Sequence, residues 1–427
     1  MKNKNTKKST KIILLILSLV IAFTSGFFMH YLIQPREVKI LSQILSIMKS
    51  NAKNPSGDDL TFDADEVSKT FVDAVLVGDD YAKYFTKEEI QNKRLNDKGN
   101  YVGVGLSFYV DKPKIYAVLG NSPAEKAGMK KGDIIIKGKL LDGEFVDFNT
   151  TEDLTNFISN AKEGEEMEFV INRDGVVLSE NIVVSKNKYV CSYVYYYDNE
   201  TSLRFVSSGE EEPKKTLFPE EKNTSLNNDT AHIIFTAFEG DSAKQLEEAL
   251  DYFYSKGKSK LILDLRANGG GKVECLREVA SYFINNNGKT KTLITEVKER
   301  KGSSLYYTKE NNFNLNLKNI VVLADGGTAS ASECLIGAML HYKDANFSMD
   351  NLLISYNAKN ENYSTYGKGI MQTTYQLITG GALKLTTAKI YWPDKTTCIH
   401  GTGIVQTNPL NQVTEQTAID RAIEILG

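Results

Sequence analysis

The sequence predicts a multidomain α+β protein in which a membrane anchor and a small helical region precede a compact β-rich domain and an α/β core. Three observations carry this prediction. One long apolar run lies near the N-terminus, short strand-like segments separated by turns follow a helical stretch, and strand and helix patterns alternate in the second half. The predicted boundaries are 1–35 for the cytoplasmic tail and anchor, 36–100 for the helical region, 101–190 for the β-rich domain and 191–427 for the core.

The composition argues against several classes of function. The chain has 427 residues and a net charge of −3, which gives no reason to expect a nucleic acid partner. Its four cysteines form neither a CxxC motif nor another spacing of metal ligands, so no metal is expected. Cysteines within apolar patterns behave as small hydrophobic residues, and buried thiols are the prediction. The cysteines are Cys191, Cys275, Cys334 and Cys398.

The N-terminus predicts a membrane anchor. Residues 1–11 carry five lysines, and residues 12–33 then run for 22 residues without an acid, a lysine or an arginine. About 20 such residues span a bilayer, and the flanking lysines stay in the cytoplasm, so the rest of the chain would be extracytoplasmic. A cleavable signal peptide is the alternative. The apolar run continues past the expected cleavage site at residues 22–24, which favours an uncleaved anchor.

The helical region and the β-rich domain have different patterns. VKILSQILSIM and DEVSKTFVDAVL carry apolar residues at three-to-four spacing and predict helices without visible chemistry. In the β-rich domain, MEFVINRDGVVLSENIVV predicts a hairpin with Asp174 and Gly175 at its turn. SPAEKAG predicts a short helix with Ser122 as N-cap and Pro123 at its first position, ending at Gly128.

The core begins with a charged, proline-broken stretch at about residues 200–230, predicted to be a mobile insertion or flap. AHIIFTAF and KLILDLR then flank a helical pattern that ends at Gly257, a βαβ unit whose strands should be parallel. NIVVLAD predicts a third buried strand, and TEQTAIDRAIEIL a terminal amphipathic helix. The predicted buried face of the first helix comprises Ala243, Leu246, Leu250 and Phe253.

Two predicted strands end in glycine-rich corners, DLRANGGG at 264–271 and ADGGTASAS at 324–332. Ligands bind at the carboxyl ends of strands in open α/β sheets, and each corner opens into a helix whose first N–H groups are unpaired. The pair therefore predicts an anion or oxyanion site, with ordinary strand-to-helix turns as the alternative. The phosphate-binding patterns GxxxxGK[ST] and GxGxxG are absent.

A serine nucleophile at the second corner would need a base, and the four histidines are poorly placed. His30 lies in the anchor, His232 begins a buried strand and His341 lies three turns beyond Ser330. The position of His400 in the sequence leaves this histidine as a candidate base. A lysine can act as the base when burial lowers its pKa. Lys368, between two glycines in GKGIM, fits that requirement, and a solvated turn lysine is the alternative.

The order of the motifs resembles that of the carboxyl-terminal processing peptidases, serine peptidases of the S41 type that carry a PDZ domain on a crotonase/ClpP-like core. The resemblance extends over about residues 60–425. The motifs are VGVG, SPAEKAGMKKGDIII, LILDLRANGGG, VVLADGGTASASE, GKGIMQ and GGALKLTTAKIYWPDKT.

The resemblance implies a role for each matching residue. It implies Ser330 as the nucleophile, Lys368 as its base and Gln372 as the residue that orients the lysine. On a helix Lys368 and Gln372 would touch, whereas on a strand their Cα atoms would lie roughly 13 Å apart, and the sequence leaves both geometries open.

The resemblance also implies an oxyanion hole. One donor would be the N–H of Ala331, which follows the nucleophile, and the other an N–H from the DLRANGG corner, where Gly269 and Gly270 both remain candidates. Thr328 and Ser332 would then serve as cap or support residues.

The PDZ domain of this family binds the free C-terminus of a protein substrate and can gate activity. The matching loop and strand here are Gly103, Val104, Gly105 and Leu106, with a strand of packing glycines as the alternative. No cofactor is implied, and a homo-oligomer or a regulatory partner remains open. The resemblance thus predicts a membrane-anchored extracytoplasmic endopeptidase that cleaves proteins near their C-termini.

The chain departs from the family in the interval from Ser330 to Lys368, which is longer than expected. The extra residues fall within 348–366 and predict a loop near the site, where Lys359 is the nearest substitute base. Two other functions remain as alternatives. One is a catalytically silent binding or sensing protein, which the long interval favours. The other is a crotonase-like acyl-CoA enzyme, which the PDZ domain and the outside location disfavour.

Overall fold

The computed structural model describes residues 35–51, 63–96, 100–109, 112–205, 214–215, 226–284, 291–310, 319–343 and 347–427. The predicted anchor at residues 12–33 lies outside the described residues, as does most of the predicted insertion. Within the described ranges, no helix has both the length and the apolar character needed to cross a bilayer. The anchor therefore stays a prediction.

The described residues up to Val75 form a unit with two helices, α1 (Arg36–Asn51) and α2 (Ala64–Val75). Both were predicted from apolar spacing. The carboxylate of Asp63 accepts hydrogen bonds from the N–H groups of Asp65 and Glu66 at 2.9 Å each and so caps the start of α2.

The second unit begins at Leu76, and the sequence did not predict its first strand. Strand β1 (Lys83–Phe85) pairs antiparallel with residues 382–384 and precedes helix α3 (Lys87–Asn96). At three residues, β1 is too short to show an alternating pattern. This strand places the residues that precede it beside the core.

The β-rich domain has its own hydrophobic core, in which Ile115, Ile135, Leu154 and Phe169 are fully buried. Strands β5 and β7 form the centre of a sheet joined by β6, β8 and β9, while β3 pairs with β4 and β2 with β10. The strands are β2 (Asn100–Gly103), β3 (Leu106–Phe108), β4 (Ile115–Val118), β5 (Ile134–Leu140), β6 (Val146–Asp147), β7 (Glu166–Arg173), β8 (Val176–Val177), β9 (Ile182–Ser185) and β10 (Asn187–Val190), with helices α4 (Pro123–Lys126) and α5 (Thr151–Asn160).

The local predictions for this domain are confirmed. Asp174 and Gly175 turn the β7–β8 hairpin with φ angles of 53° and 87°, as a two-residue hairpin turn with left-handed residues requires. Ser122 caps α4 by accepting a hydrogen bond from the N–H of Glu125 at 3.1 Å, and the chain turns after the helix at Gly128.

The core is built on an eight-stranded sheet with the order β13-β12-β11-β14-β15-β18-β19-β22. The five strands from β14 to β22 in this order are parallel, which confirms the predicted βαβ unit. The strands are β11 (Val194–Tyr197), β12 (Ser202–Phe205), β13 (Lys214–Lys215), β14 (Thr230–Phe235), β15 (Lys260–Asp264), β18 (Asn319–Ala324), β19 (Leu352–Ser355) and β22 (Gln412–Val413).

Helices cover both faces of this sheet. Helices α6 (Ser242–Ser255), α7 (Val273–Phe283) and α8 (Ala331–Tyr342) pack on one face, and α9 (Ala418–Leu426) packs on the other. The predicted face of α6 is buried throughout, with at most 5% of any of its four side chains exposed. Burial of each large apolar side chain contributes roughly 1.5–3 kcal/mol.

The predicted insertion at 200–230 is partly wrong. Residues 202–205 form the buried strand β12, in which Leu203 and Phe205 join the hydrophobic core. The composition of the whole stretch hid this short strand. Arg204, also buried, forms an ion pair with the buried Glu125 of the β-rich domain. Burial raises the pKa of Glu125, although the charge of Arg204 opposes that effect.

A second sheet lies beside the helices and carries the segment after Lys368. Its strands run in the order β1-β21-β16-β17, with β20 paired to β21. The register of β20 and β21 shifts between Met371 and Gln372, so that Gln372 lies opposite Thr386. The new strands are β16 (Leu293–Glu299), β17 (Gly302–Tyr307), β20 (Ile370–Gln376) and β21 (Ala382–Tyr391).

Candidate active site

The first glycine-rich corner follows β15 and is anchored by a buried ionic group. Asp264 binds His232 at 3.1 Å and the guanidinium of Arg266 through both carboxylate oxygens. Burial alone would raise the pKa of Asp264, but the hydrogen bond of His232 and the charge of Arg266 lower it well below its ordinary value. His232 therefore has a structural role.

The second corner follows β18 and is tied directly to the first. Asp325 accepts hydrogen bonds from the N–H groups of Ala267 at 2.8 Å and Thr328 at 3.0 Å. The hydroxyl of Thr328 donates to the carbonyl of Leu265 at 2.8 Å. The two corners thus form one rigid assembly at the carboxyl edge of the parallel strands, as the sequence predicted.

Ser332 and Ala329 add two further bonds between the corners. The Ser332 hydroxyl and the Ala329 N–H both donate to the carbonyl of Asn268, at 2.9 and 3.0 Å. Both predicted support hydroxyls, Thr328 and Ser332, are buried and act within the corner assembly. Ser330 is distinct from both because it remains half-buried, at the edge of the assembly.

Ser330 has an unusual backbone conformation at the start of α8. Its φ is 57° and its ψ is −112°, outside the regions that residues with a side chain normally adopt. Such strain costs about 1–3 kcal/mol and is typical of functional sites, including sharp strand-to-helix turns that expose a serine. The turn thus sets Ser330 apart from its two neighbouring hydroxyl residues.

Gly270 packs directly against this turn. A side chain on Gly270 would place its Cβ 2.7 Å from the Ala329 carbonyl oxygen and the Ala331 nitrogen, and the φ of Gly270 is +91°. The N–H of Gly270 donates to the side chain of its own neighbour, Asn268, at 3.0 Å. Gly270 is therefore required for packing, and its donor is already occupied.

Gly269 is the better oxyanion candidate of the two glycines. It is exposed, and a Cβ there would meet no atom within 4 Å. Among the described residues, no hydrogen bond uses the N–H of Gly269 or of Ala331. The geometry thus separates two candidates that the sequence left equivalent.

The buried carboxylate of Glu333 joins the Ser330 turn to the Lys368 segment. One of its oxygens accepts from the N–H groups of Ser330 at 2.8 Å and Lys368 at 2.9 Å. Because both donate to a single atom, the two backbone nitrogens lie less than ~6 Å apart. The other oxygen accepts from the Thr365 hydroxyl at 2.5 Å and the Gly367 N–H at 2.8 Å.

Sequence reasoning assigned no role to Glu333. A signal was present, because Ser330 and Glu333 have the S-x-x-E spacing of a capping box, in which the glutamate binds the backbone N–H of the cap residue. Burial raises the pKa of Glu333, against the lowering effect of its four hydrogen bonds. The spacing, however, gives no sign that the same carboxylate also binds Lys368.

Lys368 is half-buried beneath an aromatic ring. Its Nζ lies 4.7 Å from the centre of the Tyr81 ring. Burial and the charge of nearby Lys384 lower the pKa of Lys368, while Tyr366 and Glu333 oppose them. The direction matches the requirement that a lysine base be neutral. Tyr81 comes from the region in which the sequence showed no chemistry.

Gln372 lies in β20, so the strand geometry applies and the helical one does not. Its amide donates to the Thr386 hydroxyl at 3.3 Å, and Thr386 in turn binds Asp79. The hydrogen bonds of the described residues do not include one between Gln372 and Lys368. The predicted orienting contact is thus not formed in this structure.

The remaining candidates for the base are less well placed. Lys359 is exposed, with its Nζ 3.7 Å from the centre of the Tyr366 ring, whereas Lys368 is half-buried. His341 and His400 are exposed, and no described histidine lines the cleft beside Lys368. His30 lies outside the described residues.

A cleft of 880 Å³ lies over this assembly. Lys368, Gly269 and Ala329 line it, and the extra loop within 348–366 forms one wall, as predicted. The β-rich domain contributes Tyr109 and Tyr116. The cleft is therefore bounded by two domains. The lining residues of the loop and the segment after it are Tyr356, Asn357, Ala358, Lys359, Tyr363 and Tyr366.

A separate groove of 750 Å³ lies on the β-rich domain between β3 and α5. The four residues predicted to bind a peptide C-terminus, Gly103, Val104, Gly105 and Leu106, all line it. Gly105 has a φ of +85°, and a Cβ there would lie 2.1 Å from the Cβ of Ser122. The groove has the position and the apolar lining that a peptide added to β3 would need. Its other lining residues include Phe108, Leu119 and Ile158, with Glu88 and Asn92 of α3 at one end.

Two regions of the chain match known family models. Residues 229–347 and 362–409 match the model of peptidase family S41, and residues 100–184 match that of the PDZ domain. These two matches agree with the family resemblance that the motifs indicated.

Known proteins agree with this resemblance. A "Probable CtpA-like serine protease" of Staphylococcus aureus is 27% identical over 353 residues, which cover 80% of this chain and 60% of the relative. A protein of the same name from Staphylococcus saprophyticus is 24% identical over 358 residues. The chain thus spans about 60% of the length of these relatives.

Among solved structures, the photosystem II D1 C-terminal processing protease has the same fold. It is 20% identical, with a TM-score of 0.50, and the match covers 85% of each chain. At this identity the likeness concerns the fold, which includes both the core and the PDZ domain.

Proposed function

We propose that this chain is a membrane-anchored, extracytoplasmic serine endopeptidase that cleaves proteins near their C-termini. One observation carries the proposal: a buried carboxylate oxygen of Glu333 holds the backbone of both Ser330 and Lys368. The open N–H groups of Gly269 and Ala331 belong to the same corner assembly. A nucleophile, a base and two convergent donors are the parts that acyl transfer needs.

The proposed reaction uses these parts in two halves. Neutral Lys368 takes the proton from the Ser330 hydroxyl as its oxygen attacks the scissile carbonyl carbon. The N–H groups of Ala331 and Gly269 stabilise the resulting oxyanion. The lysine ammonium then protonates the departing amine, which leaves an acyl-enzyme. Water attacks the ester carbonyl carbon while Lys368 takes its proton. The lysine ammonium then returns that proton to the Ser330 oxygen as the ester C–O bond breaks, which releases the new carboxyl group and regenerates Ser330 and neutral Lys368.

The PDZ groove is proposed to hold the C-terminus of the substrate. A peptide strand beside β3 would place its terminal carboxylate near Gly103–Leu106. Tyr109, one residue beyond β3, and Tyr116, on β4, also line the catalytic cleft. The same hairpin thus borders both sites, which supports a role for the PDZ domain in delivery and in gating.

The proposed location follows from the sequence. The 22-residue run and the lysines before it favour an anchor that leaves the domains outside the cytoplasm. Protease accessibility in intact spheroplasts tests this, since an enclosed core would be protected until the membrane is lysed. Protection of the core in intact spheroplasts would contradict the proposed orientation.

The catalytic proposal is tested with Ser330→Ala and Lys368→Ala on an unstructured protein substrate. Both should lose cleavage by about a thousandfold or more, since each removes an essential partner of the same step. Lys359→Ala is the matched control and should retain activity. Cleavage retained by either site variant would overturn the assignment.

A catalytically silent binding protein is the second candidate. The contact of Gln372 with Thr386, in place of Lys368, favours it. A fluorophosphonate probe separates the candidates, because a silent protein leaves Ser330 unlabelled in the presence and absence of substrate peptide. Labelling of the wild type and its loss in Ser330→Ala would support the peptidase.

A further inference from the structure

A short segment before the PDZ domain contacts both the lysine and the glutamine of the proposed site. Tyr81 places its ring over Nζ of Lys368. Asp79, two residues earlier, binds Thr386, the partner of Gln372. This segment precedes the parts of the chain that match the PDZ and peptidase models. Residues outside the matched regions therefore border the centre of the site.

The hydrogen bonds around Thr386 have a fixed direction. Asp79 accepts from the Thr386 N–H at 3.0 Å, from its hydroxyl at 2.8 Å and from the N–H of Tyr81 at 3.2 Å. An ionised carboxylate only accepts, so the single proton of the Thr386 hydroxyl points to Asp79. Burial opposes ionisation of Asp79, but these hydrogen bonds outweigh it and lower its pKa.

This direction determines the orientation of the Gln372 amide. Because the Thr386 hydroxyl donates its hydrogen bond to Asp79, the Thr386 oxygen can only accept a hydrogen bond from Gln372, at 3.3 Å. The amide must then present its NH₂ group to Thr386, which leaves Oε1 as its free end. The two ends of an amide are otherwise nearly interchangeable, and the hydrogen-bond network decides between them.

A β-bulge makes this contact. Met371 pairs with Ala388, but Gln372 pairs with Thr386, so Thr387 is the extra residue in β21. In an unshifted register, Thr387 would lie opposite Gln372. Bulges re-aim side chains beside functional sites, and this one puts a threonine held by Asp79 against Gln372.

We propose that Asp79 is a positioning residue of the peptidase reaction: through Thr386 it orients the Gln372 amide so that Oε1 is the end offered to Lys368. The proposal rests on the proposed function. A neutral amine has two N–H donors and one lone pair. If Oε1 accepts one N–H of Lys368, the lone pair is free to take the Ser330 proton, and the resulting ammonium still donates to Oε1.

Other titratable groups also face Lys368. Lys384 comes from β21, Glu333 from α8, Tyr81 from the segment before β1, and Tyr366 from the stretch just before Lys368 itself. None of them binds Gln372 among the described residues. A change at Asp79 should therefore reach Lys368 through the amide, although its lost charge also acts over a longer range.

The test compares Asp79→Asn and Thr386→Val with Thr386→Ser. The readout is the rate of Ser330 labelling by a fluorophosphonate as a function of pH, which needs no substrate. In Asp79→Asn the new amide can donate a hydrogen bond to the Thr386 hydroxyl, so the Gln372 amide is free to reverse its orientation. Thr386→Val removes the hydroxyl that links Asp79 to Gln372. Both should lower the plateau rate roughly tenfold. Both should also move the acid limb of the pH–rate profile to lower pH, because the Lys368 ammonium loses Oε1 of Gln372 as an acceptor and its pKa falls. Thr386→Ser keeps the hydroxyl and should restore both values.

Thr373→Val is the matched control. It removes a threonine pair of the same kind between the same strands, the 2.8 Å contact of Thr373 with Thr387, without touching Gln372. It should leave the plateau and the limb unchanged. Equal effects of Thr373→Val and Thr386→Val would overturn the proposal, as would a lower plateau with an unmoved limb.

Two outcomes separate this proposal from the function on which it rests. If wild-type Ser330 is never labelled, the proposed function fails. If Ser330 is labelled and Asp79→Asn reacts like the wild type, only the role of Asp79 fails. Faster labelling in Asp79→Asn would also overturn the role, because it would make the segment an inhibitory contact.

Discussion

The proposed catalytic cleft and the PDZ groove each contain a pair of glycines, and the two glycines of a pair have different structural roles. In the cleft, Gly270 is buried with a positive φ and packs against backbone, while Gly269 is exposed and unconstrained. In the groove, Gly105 is locked against Ser122, while Gly103 meets no atom within 4 Å. In each pair one glycine permits a close approach between elements, and the other leaves the surface open.

The two sites differ in how far apart their parts lie in the sequence. The groove is assembled mostly within residues 101–189, from strands β2, β3 and β10, helix α5 and the loop before β3. The cleft combines six distant segments, at Tyr81, 109–116, 267–269, 325–329, 355–368 and 413–415. A site built from distant segments needs side chains that bind more than one segment, which is the role of Asp325 and Glu333. We expect the cleft to be the more sensitive of the two to single substitutions.

Gly270→Ala should have the largest effect. Its Cβ would meet two backbone atoms at 2.7 Å and its φ of +91° would be strained, so the Ser330 turn must move. We expect Ser330 labelling to fall by about two to three orders of magnitude, as on loss of an oxyanion donor. Gly269→Ala is the control, and it should fold and melt like the wild type. A fully active Gly270→Ala would contradict the packing described for this corner.

Glu333→Gln should have the second largest effect. Each oxygen of Glu333 accepts two hydrogen bonds, so an NH₂ group in place of either leaves two buried donors unsatisfied. The expected loss is about 2–5 kcal/mol in the free energy of unfolding, measured with urea, together with slower labelling. Glu274→Gln alters an exposed acid in the first turn of α7 and should change neither. If Glu333→Gln matched that control, the carboxylate would not hold the two segments.

Gly105→Ala should weaken peptide binding in the groove and spare Ser330. The clash with Ser122 would displace the loop, and we expect affinity to fall by at least about tenfold. Fluorescence polarisation with a labelled peptide that ends in an apolar residue and a free carboxylate measures this. Gly103→Ala should bind normally, and the amidated peptide should bind the wild type weakly. Equal peptide binding by Gly105→Ala and Gly103→Ala would contradict the assignment of the groove as the site that binds the substrate C-terminus.

Lys384→Met should give the smallest change, a shift in pH dependence. The positive charge of Lys384 disfavours the ammonium form of Lys368, so its removal raises the pKa of Lys368. The acid limb of Ser330 labelling should move to higher pH by less than about one unit, with a lower rate at pH 7. Lys389→Met, exposed on the same strand, should leave the limb in place. A shift to lower pH would argue against Lys368 as the base.

The difference between the two sites also explains what the sequence could predict. The hairpin at Asp174, the cap at Ser122 and the VGVG loop depend on neighbours in sequence, and each was found. The corners at 264–271 and 324–332 were found because glycine-rich turns after apolar strands are local signals. Family resemblance then selected Ser330 and Lys368.

What the sequence missed depends on contacts between distant segments. Glu333 has a visible capping spacing, yet its bond to Lys368 closes a loop of 35 residues that no local pattern encodes. Asp79 reaches Thr386 across 307 positions. The choice of Gly269 over Gly270 required knowing that the N–H of Gly270 was already used by Asn268. Strand β12 was hidden by the charged stretch that follows it.

The buried pair of Glu125 and Arg204 has a consequence for the modular history of this chain. A PDZ domain is often treated as a cassette that can be gained, lost or exchanged. Here a replacement domain that covered Arg204 without supplying a carboxylate would leave the guanidinium buried and unpaired, at a cost of about 3–5 kcal/mol. An exchanged domain must bring an acid to the same place. The core and its PDZ domain should therefore be inherited together.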